Sequence, residues 1–219
     1  MKVAPPRDEA ELLARAGALA GAPVREVAAL CRRPVPRDLR RHKGWLGELL
    51  ECALGATARS RPEPDFVELG IELKTVPVDQ DGRPRESTHV CTVSLGDLVG
   101  QRWPTSTVRR KLARVLWLPI EADPRVPLAE RRIGAPRLWS PSAREEAVLR
   151  ADWEEHMDLL ATGRFDEVDA RLGVYLQVRP KAANGRALAL AGDVDGAPSA
   201  TLPRGFYLRP RFTRELLGA

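Results

Sequence analysis

Asp65, Glu72 and Lys74 are the residues whose types and spacing best suit chemistry. They lie in the run Pro64-Asp65-Phe66-Val67-Glu68-Leu69-Gly70-Ile71-Glu72-Leu73-Lys74, where an acidic residue precedes Glu-x-Lys in an apolar, β-prone setting. Successive side chains of a strand point to opposite faces. Glu72 and Lys74 therefore share one face, ~6.6 Å apart along the strand, while Ile71 and Leu73 turn toward a core. If Asp65 folds back toward Glu72, two carboxylates and an ammonium meet.

Such a group suits phosphodiester hydrolysis. Charge develops on the leaving oxygen of an already anionic phosphate, and a Mg²⁺ held by one or two carboxylates offsets it and acidifies a water. Asp65 and Glu72 supply carboxylates, the Leu73 carbonyl adds an oxygen, and Glu51 on a preceding helix completes the set. Mn²⁺ and Ca²⁺ are ions the same oxygens admit. Lys74 then orients or deprotonates the attacking water, or stabilises charge on the phosphate. The alternative is an amphipathic strand whose wet face carries Glu72 and Lys74 as solvated charges.

The basic residues sharpen the first reading. The chain has 35 Lys and Arg in all, and its lysines are Lys2, Lys43, Lys74, Lys111 and Lys181. Lysine is a compact point charge whose pKa shifts readily, whereas arginine is a wide fork that stays protonated. One of these scarce lysines is that of Glu-x-Lys. Lys43 and Lys111 are candidates for contacting phosphates or flanking the metal, against a plain role as solvated charges.

Composition narrows the partner. The 219 residues carry a formal net charge of +5, which suits an anionic partner. Cys31, Cys52 and Cys91 form neither a disulfide framework nor a CxxC site, and His42, His89 and His156 show no zinc spacing. No apolar run reaches membrane-spanning length. A reducing cytoplasm and no membrane partner are expected.

The elements that must position these residues read as follows. Residues 1–8 read as a disordered start, with helices over 9–20, 24–31 and 45–54. Residues 66–78 and 87–94 are predicted strands, joined as a hairpin around Asp79-Gln80-Asp81-Gly82. A short basic segment over 107–113 leads into Val115-Leu116-Trp117-Leu118-Pro119-Ile120, apolar enough to be buried on both faces. Residues 121–139 read as loop and as the divide between two lobes. Ser142-Ala143-Arg144-Glu145 is a capping-box pattern opening a long helix to residue 162, with Leu149, Trp153, Met157 and Leu160 inward. A short helix over 166–172, a strand over 174–178, helix over 184–191, loop over 192–200, a strand over 205–208 and a terminal helical turn complete an α+β chain, with a mixed β-sheet flanked by helices. Arg179-Pro180-Lys181, after a strand, is a candidate DNA-reading loop, since arginine pairs bidentately with guanine and proline stiffens the backbone. Tyr207 is placed to press an aromatic ring on bases; the plainer readings are a basic loop and a core aromatic.

These pieces occur in a recognisable order. Lys43-Gly44-Trp45-Leu46-Gly47 with Leu49-Leu50-Glu51 comes first, then Asp65-Phe66, then Gly70-Ile71-Glu72-Leu73-Lys74-Thr75-Val76-Pro77-Val78-Asp79 and Gly82-Arg83-Pro84. Val108-Arg109-Arg110-Lys111-Leu112 with Arg114-Val115-Leu116-Trp117, Leu138-Trp139-Ser140-Pro141, Arg179-Pro180-Lys181-Ala182-Ala183-Asn184 and Leu202-Pro203-Arg204-Gly205-Phe206-Tyr207-Leu208 follow. From about residue 11 onward the chain resembles the MutH family, strand-nicking endonucleases of methyl-directed mismatch repair within the type II restriction endonuclease-like superfamily. The resemblance implies one restriction endonuclease-like domain over residues 1–219, α+β, with two arms forming a DNA cleft. It implies Mg²⁺-dependent nicking of the unmethylated strand at hemimethylated GATC. Asp65, Glu72 and Lys74 fall on the family's catalytic positions, and Glu51 and Lys111 on further active-site positions. Arg179, Pro180 and Lys181 match the loop that reads the site, and Tyr207 an aromatic that senses the target. It further implies a monomer, cytoplasmic and active at the nucleoid, switched on by MutL after MutS finds a mismatch.

Two departures bear on control. His89 stands where the family has phenylalanine near the methylation-sensing region, which puts strict discrimination in question. The sequence ends at Gly218-Ala219, short of the tail that family members can carry, so altered coupling to MutL is expected. Two other functions compete: a catalytically weak or inactive DNA-binding repair module, and a stand-alone restriction endonuclease. No substitution at a catalytic position favours the former, and the latter usually carries additional domains.

Overall fold

The computed structural model describes residues 3–42, 44–58, 61, 63–96, 98–169, 171–181, 189–192 and 198–218. In chain order the elements are α1 (Glu9–Ala18), α2 (Val24–Leu30), α3 (Trp45–Leu54), β1 (Glu72–Val78), β2 (Thr88–Thr92), α4 (Thr107–Leu112) and β3 (Val115–Glu121). They continue as β4 (Arg137–Trp139), α5 (Ala143–Ala161), β5 (Leu176–Pro180), β6 (Ala189–Gly192), β7 (Pro198–Thr201), β8 (Arg204–Leu208) and α6 (Pro210–Leu217). The chain is α+β. Its contacts divide it into one unit of residues 1–86, 113–140 and 214–219 and another of residues 87–112 and 141–213. The segment 121–139 lies inside the first unit, and the chain leaves that unit after Ser140.

In the first unit a mixed sheet runs in the order β1–β3–β4, with β1 parallel to β3 and β4 antiparallel to it. Parallel pairing needs a long crossover, and the chain supplies one by placing residues 87–112, the shorter segment of its second unit, between β1 and β3. Leu73 on β1 and Leu116, Leu118 and Ile120 on β3 fill one face of the sheet and pack with Leu12, Val27 and Leu50 of the helices. The β3 segment is buried as its continuous apolar run predicts, with Val115 through Leu118 essentially inaccessible.

Local chemistry explains the helix ends. Asp8 accepts from Glu11 N at 2.8 Å and caps α1. Gly55 ends α3 at φ +83, where a Cβ would lie 2.4 Å from Ala4 O, so only glycine fits. Arg15 donates to Ala4 O at 2.6 Å and to Leu54 O at 3.2 Å. The expected disordered start is corrected by these bonds, because residues 3–8 are tied down.

The second unit holds the antiparallel sheet β2–β8–β5, the β6–β7 hairpin, and helices α4 and α5. The capping box at Ser142 and Glu145 forms with both of its bonds. The inner face of α5 buries Leu149, Trp153, Met157 and Leu160 as its spacing predicts, together with Asp152 and His156.

Several expectations fail for physical reasons. Residues 66–78 are not one strand: a 3-10 turn over Val67–Leu69 and Gly70 at φ 64 interrupt it. The predicted hairpin shrinks to a bridge between Val78 and Pro84, because β2 pairs with β8. Residues 189–192 and 198–201 form strands β6 and β7, where helix and loop were expected. Residues 166–172 hold one 3-10 turn, Phe165–Glu167, in place of a helix. None of the three cysteines forms a disulfide, and burial, with the Cys52 thiol beside it, pushes the Cys31 thiol up to about 12. No helix among the described residues is long and apolar enough to cross a membrane.

Candidate functional site

Asp65 reaches β1 through a tight reversal. Phe66 N donates to Ile71 O at 2.9 Å and Ile71 N donates to Phe66 O at 3.3 Å, closing a loop over the 3-10 turn. Gly70 supplies the left-handed residue that this reversal requires. Asp65 is held from behind as well, since its carbonyl accepts from Thr57 N at 2.9 Å and Ala58 N at 3.1 Å. Its Oδ2 then accepts from Leu73 N at 2.8 Å. The fold-back expected from the sequence occurs, and a turn produces it.

That hydrogen bond also orients the strand edge. Within a strand, the N–H and C=O of one residue point to the same side. Glu72 N donates to Arg114 O, toward β3, so Leu73 directs both of its backbone groups to the opposite edge, where Asp65 sits. The Leu73 carbonyl and the Asp65 carboxylate thus share one edge of β1.

Glu72 and Lys74 share the adjacent face. Lys74 Nζ donates to Glu72 Oε1 at 2.6 Å. The Glu72 side chain is 4% exposed and that of Lys74 11%, and Asp65 is buried too. A solvated, loosely paired strand face would leave these groups in water. Burying two carboxylates and an ammonium is costly unless they are paired, which favours the chemical reading of the strand over the amphipathic one.

The donor set fits Mg²⁺. That ion usually takes one or two carboxylates and completes its shell with water and substrate phosphate. Asp65, Glu72 and the Leu73 carbonyl offer only hard oxygens. No group of three or more His, Cys, Asp or Glu side chains among the described residues forms a closed metal cage. Glu51 stands half-buried on α3, which packs against β1. Lys111 stands on α4 in the second unit, and Lys43 lies outside the described residues.

Of the candidate reading residues, Arg179 and Tyr207 share one face of the β2–β8–β5 sheet, and Pro180 falls on the other. Arg179 and Pro180 end β5 as strand residues, where a loop was expected; Arg179 aligns with Gly205 and Pro180 with Arg204. Lys181 follows directly, its N–H donating to Pro203 O at 2.7 Å. Tyr207 lies in register between His89 and Gln177. The His89 and Tyr207 rings meet edge to face at 5.1 Å, and Arg179 Cζ lies 5.9 Å from the Tyr207 centroid, within cation–π range.

Sequence reasoning missed the group that anchors β5. Asp152 on α5 accepts from Val174 N, Tyr175 N and Leu176 N at 2.8, 2.7 and 2.8 Å. One turn later His156 Nε2 shares a 3.3 Å hydrogen bond with Leu176 O, and burial pushes its imidazole pKa down. Gly173 at φ +79 permits the approach, since a Cβ there would meet Leu176 O at 2.0 Å. A signal existed: Asp152 and His156 interrupt the apolar face of a helix at i, i+4 spacing. Their target, a strand start far along the chain, did not show.

The chain is similar to known proteins along nearly its whole length. The family model described as DNA mismatch repair enzyme MutH matches residues 54–152. The DNA mismatch repair protein MutH of Vibrio vulnificus (strain YJ016) is 53% identical over 212 residues, covering 97% of this chain and 93% of its own. That of Serratia proteamaculans (strain 568) is 55% identical over 213 residues, with 97% and 93% covered. That of Salmonella newport (strain SL254) is 55% identical over 213 residues, with 97% and 92% covered.

Proposed function

Starting from a chain that belongs to the MutH family of DNA mismatch-repair endonucleases, we propose that it nicks the unmethylated strand of hemimethylated GATC sites in a Mg²⁺-dependent reaction. The observation that carries this reading is the buried group in which Asp65, folded back onto Leu73, meets Glu72 and Lys74 of β1. Asp65, Glu72 and the Leu73 carbonyl would hold the ion, with Glu51 supporting them. When bound, Mg²⁺ supplies positive charge at the scissile phosphate and lowers the pKa of an attacking water.

The protein's own groups do the rest. Lys74, oriented by Glu72 at 2.6 Å, holds the attacking water or a phosphate oxygen in line and moves a proton between water and carboxylate. Asp65 is held in position by accepting the Leu73 N–H. Lys111 and Lys43 contact phosphates. Arg179, Pro180 and Lys181 read base edges, and Tyr207 with His89 senses the adenine methyl group. The enzyme works as a monomer on double-stranded DNA in the cytoplasm, at the nucleoid, and MutL activates it after MutS has located a mismatch.

A nicking assay tests the reading, using unmethylated, hemimethylated and fully methylated GATC duplexes with and without Mg²⁺ and MutL. Nicking confined to unmethylated strands, absent without Mg²⁺ and stimulated by MutL, is the expected result. Equal cutting of all three duplexes would refute methyl direction, and undiminished cutting in EDTA would refute the metal.

A further inference from the structure

Two hydroxyl groups of the second unit meet the cations of the reading face. Ser87 Oγ accepts from Gln177 Nε2 at 2.7 Å and from Arg179 Nη1 at 3.3 Å. Thr92 Oγ1 accepts from Lys181 Nζ at 2.6 Å. Gly205, aligned with both Arg179 and Thr92, lacks a side chain where one would crowd the rings: a Cβ there would lie 3.1 Å from Tyr207 Cε2 and 3.3 Å from His89 Cδ2. The exposed guanidinium of Arg179 therefore lies between the Tyr207 ring and the Ser87 hydroxyl.

We propose that Ser87, fixed by Gln177, is a positioning residue for DNA recognition that presets the Arg179 guanidinium beside Tyr207. The proposal rests on Arg179 reading the DNA, as given under Proposed function. An arginine side chain has many rotamers and loses that freedom when it pairs bidentately with a base. Ordering it before DNA arrives removes part of the cost of binding. Gln177 can serve as the anchor because it is itself 5% exposed, so its amide is locked by packing. A serine hydroxyl has two acceptor lone pairs, enough for Gln177 and Arg179 together. Ser87 carries no charge, and its contribution is to geometry.

Equilibrium binding of the full chain in EDTA tests this, on a GATC duplex and a scrambled duplex across a salt titration. Ser87→Ala is expected to weaken the GATC complex roughly 2- to 10-fold and to leave the scrambled complex unchanged. The slope of log affinity against log salt should equal that of the unmodified chain, because no cation is removed. Ser87→Thr, which keeps the hydroxyl, should restore the affinity. Gln177→Met should reproduce the loss and serves if Ser87→Ala folds poorly. Arg179→Ala is the control for the reading itself. Weak binding by Arg179→Ala with undiminished binding by Ser87→Ala and Gln177→Met would overturn the role of Ser87 alone. Unchanged binding by Arg179→Ala would overturn the assignment of Arg179, and the proposal with it. Equal weakening on both duplexes, with a lowered Tm, would mark a merely structural serine and also overturn it.

Discussion

Lys74 and Glu72, two residues apart on β1, are joined by a 2.6 Å hydrogen-bonded ion pair from which water is largely excluded. Removing one partner of a shielded pair leaves the other charge buried, and that costs more than the pair itself contributes. Lys74→Met is therefore expected to destabilise the protein by on the order of 3 kcal/mol, and adding Glu72→Gln should recover much of the loss. Neither variant should nick DNA. Urea unfolding and a plasmid nicking assay check both halves, and a stable, active Lys74→Met protein would remove the pair from the mechanism.

Asp65 separates metal binding from folding. Asparagine keeps an oxygen that can accept the Leu73 N–H but loses the carboxylate charge. Asp65→Asn should retain a near-normal Tm. Its nicking rate should fall roughly 100-fold or more, since even residues that only support metal ligands cost up to about that much. A Mg²⁺ titration of the nicking rate is the measurement; an unchanged midpoint and rate would contradict the ligand role.

Asp152 secures the strand that carries Arg179. Three backbone N–H groups converge on its buried carboxylate, and hydrogen bonds to charged groups each contribute about 1.5–3 kcal/mol. Asp152→Ala should lower stability by at least about 4 kcal/mol, seen as a lower urea midpoint at constant slope. Asp152→Asn, which can still accept, should cost less. If both variants unfold at the midpoint of the unmodified protein, the anchoring role is wrong.

His156 gives stability an acid limit. Burial is the main cause that pushes its folded-state pKa below the usual histidine value, outweighing the opposing pull of the Leu176 carbonyl and of Asp152. The unfolded chain then binds a proton that the folded chain resists. Stability from neutral His156 is full above the unfolded value of about 6.5 and is lost as pH falls through the depressed folded value. Thermal unfolding between pH 7.5 and 5 should show a smaller decline in His156→Leu than in the unmodified protein. Identical declines would assign the acid sensitivity to other groups.

Much of the fold and of the candidate site was legible in the residues. Periodicity gave α1, α2, α3 and α5 within a few residues, because each buries one apolar stripe. The capping box at Ser142 marked the start of α5, and the apolar run of β3 reported its central place in the sheet. Asp65, Glu72 and Lys74 were legible because a two-residue strand period puts Glu72 beside Lys74 whatever the sheet does. The hairpin of residues 66–94 was misread because strand pairing is a long-range choice: β2 had two possible partners, and only packing selected β8.

What the sequence determined by itself was chemistry and local geometry: the residue types, the strand that pairs Glu72 with Lys74, and an order of motifs shared with one family. The tertiary structure decided the environment of those groups. Shielding Glu72 and Lys74 from water, bringing Asp65 onto Leu73, and setting Ser87 against Arg179 and Asp152 against the start of β5 all join residues through space. Burial and long-range hydrogen bonds depend on which surfaces meet, and no local periodicity encodes that.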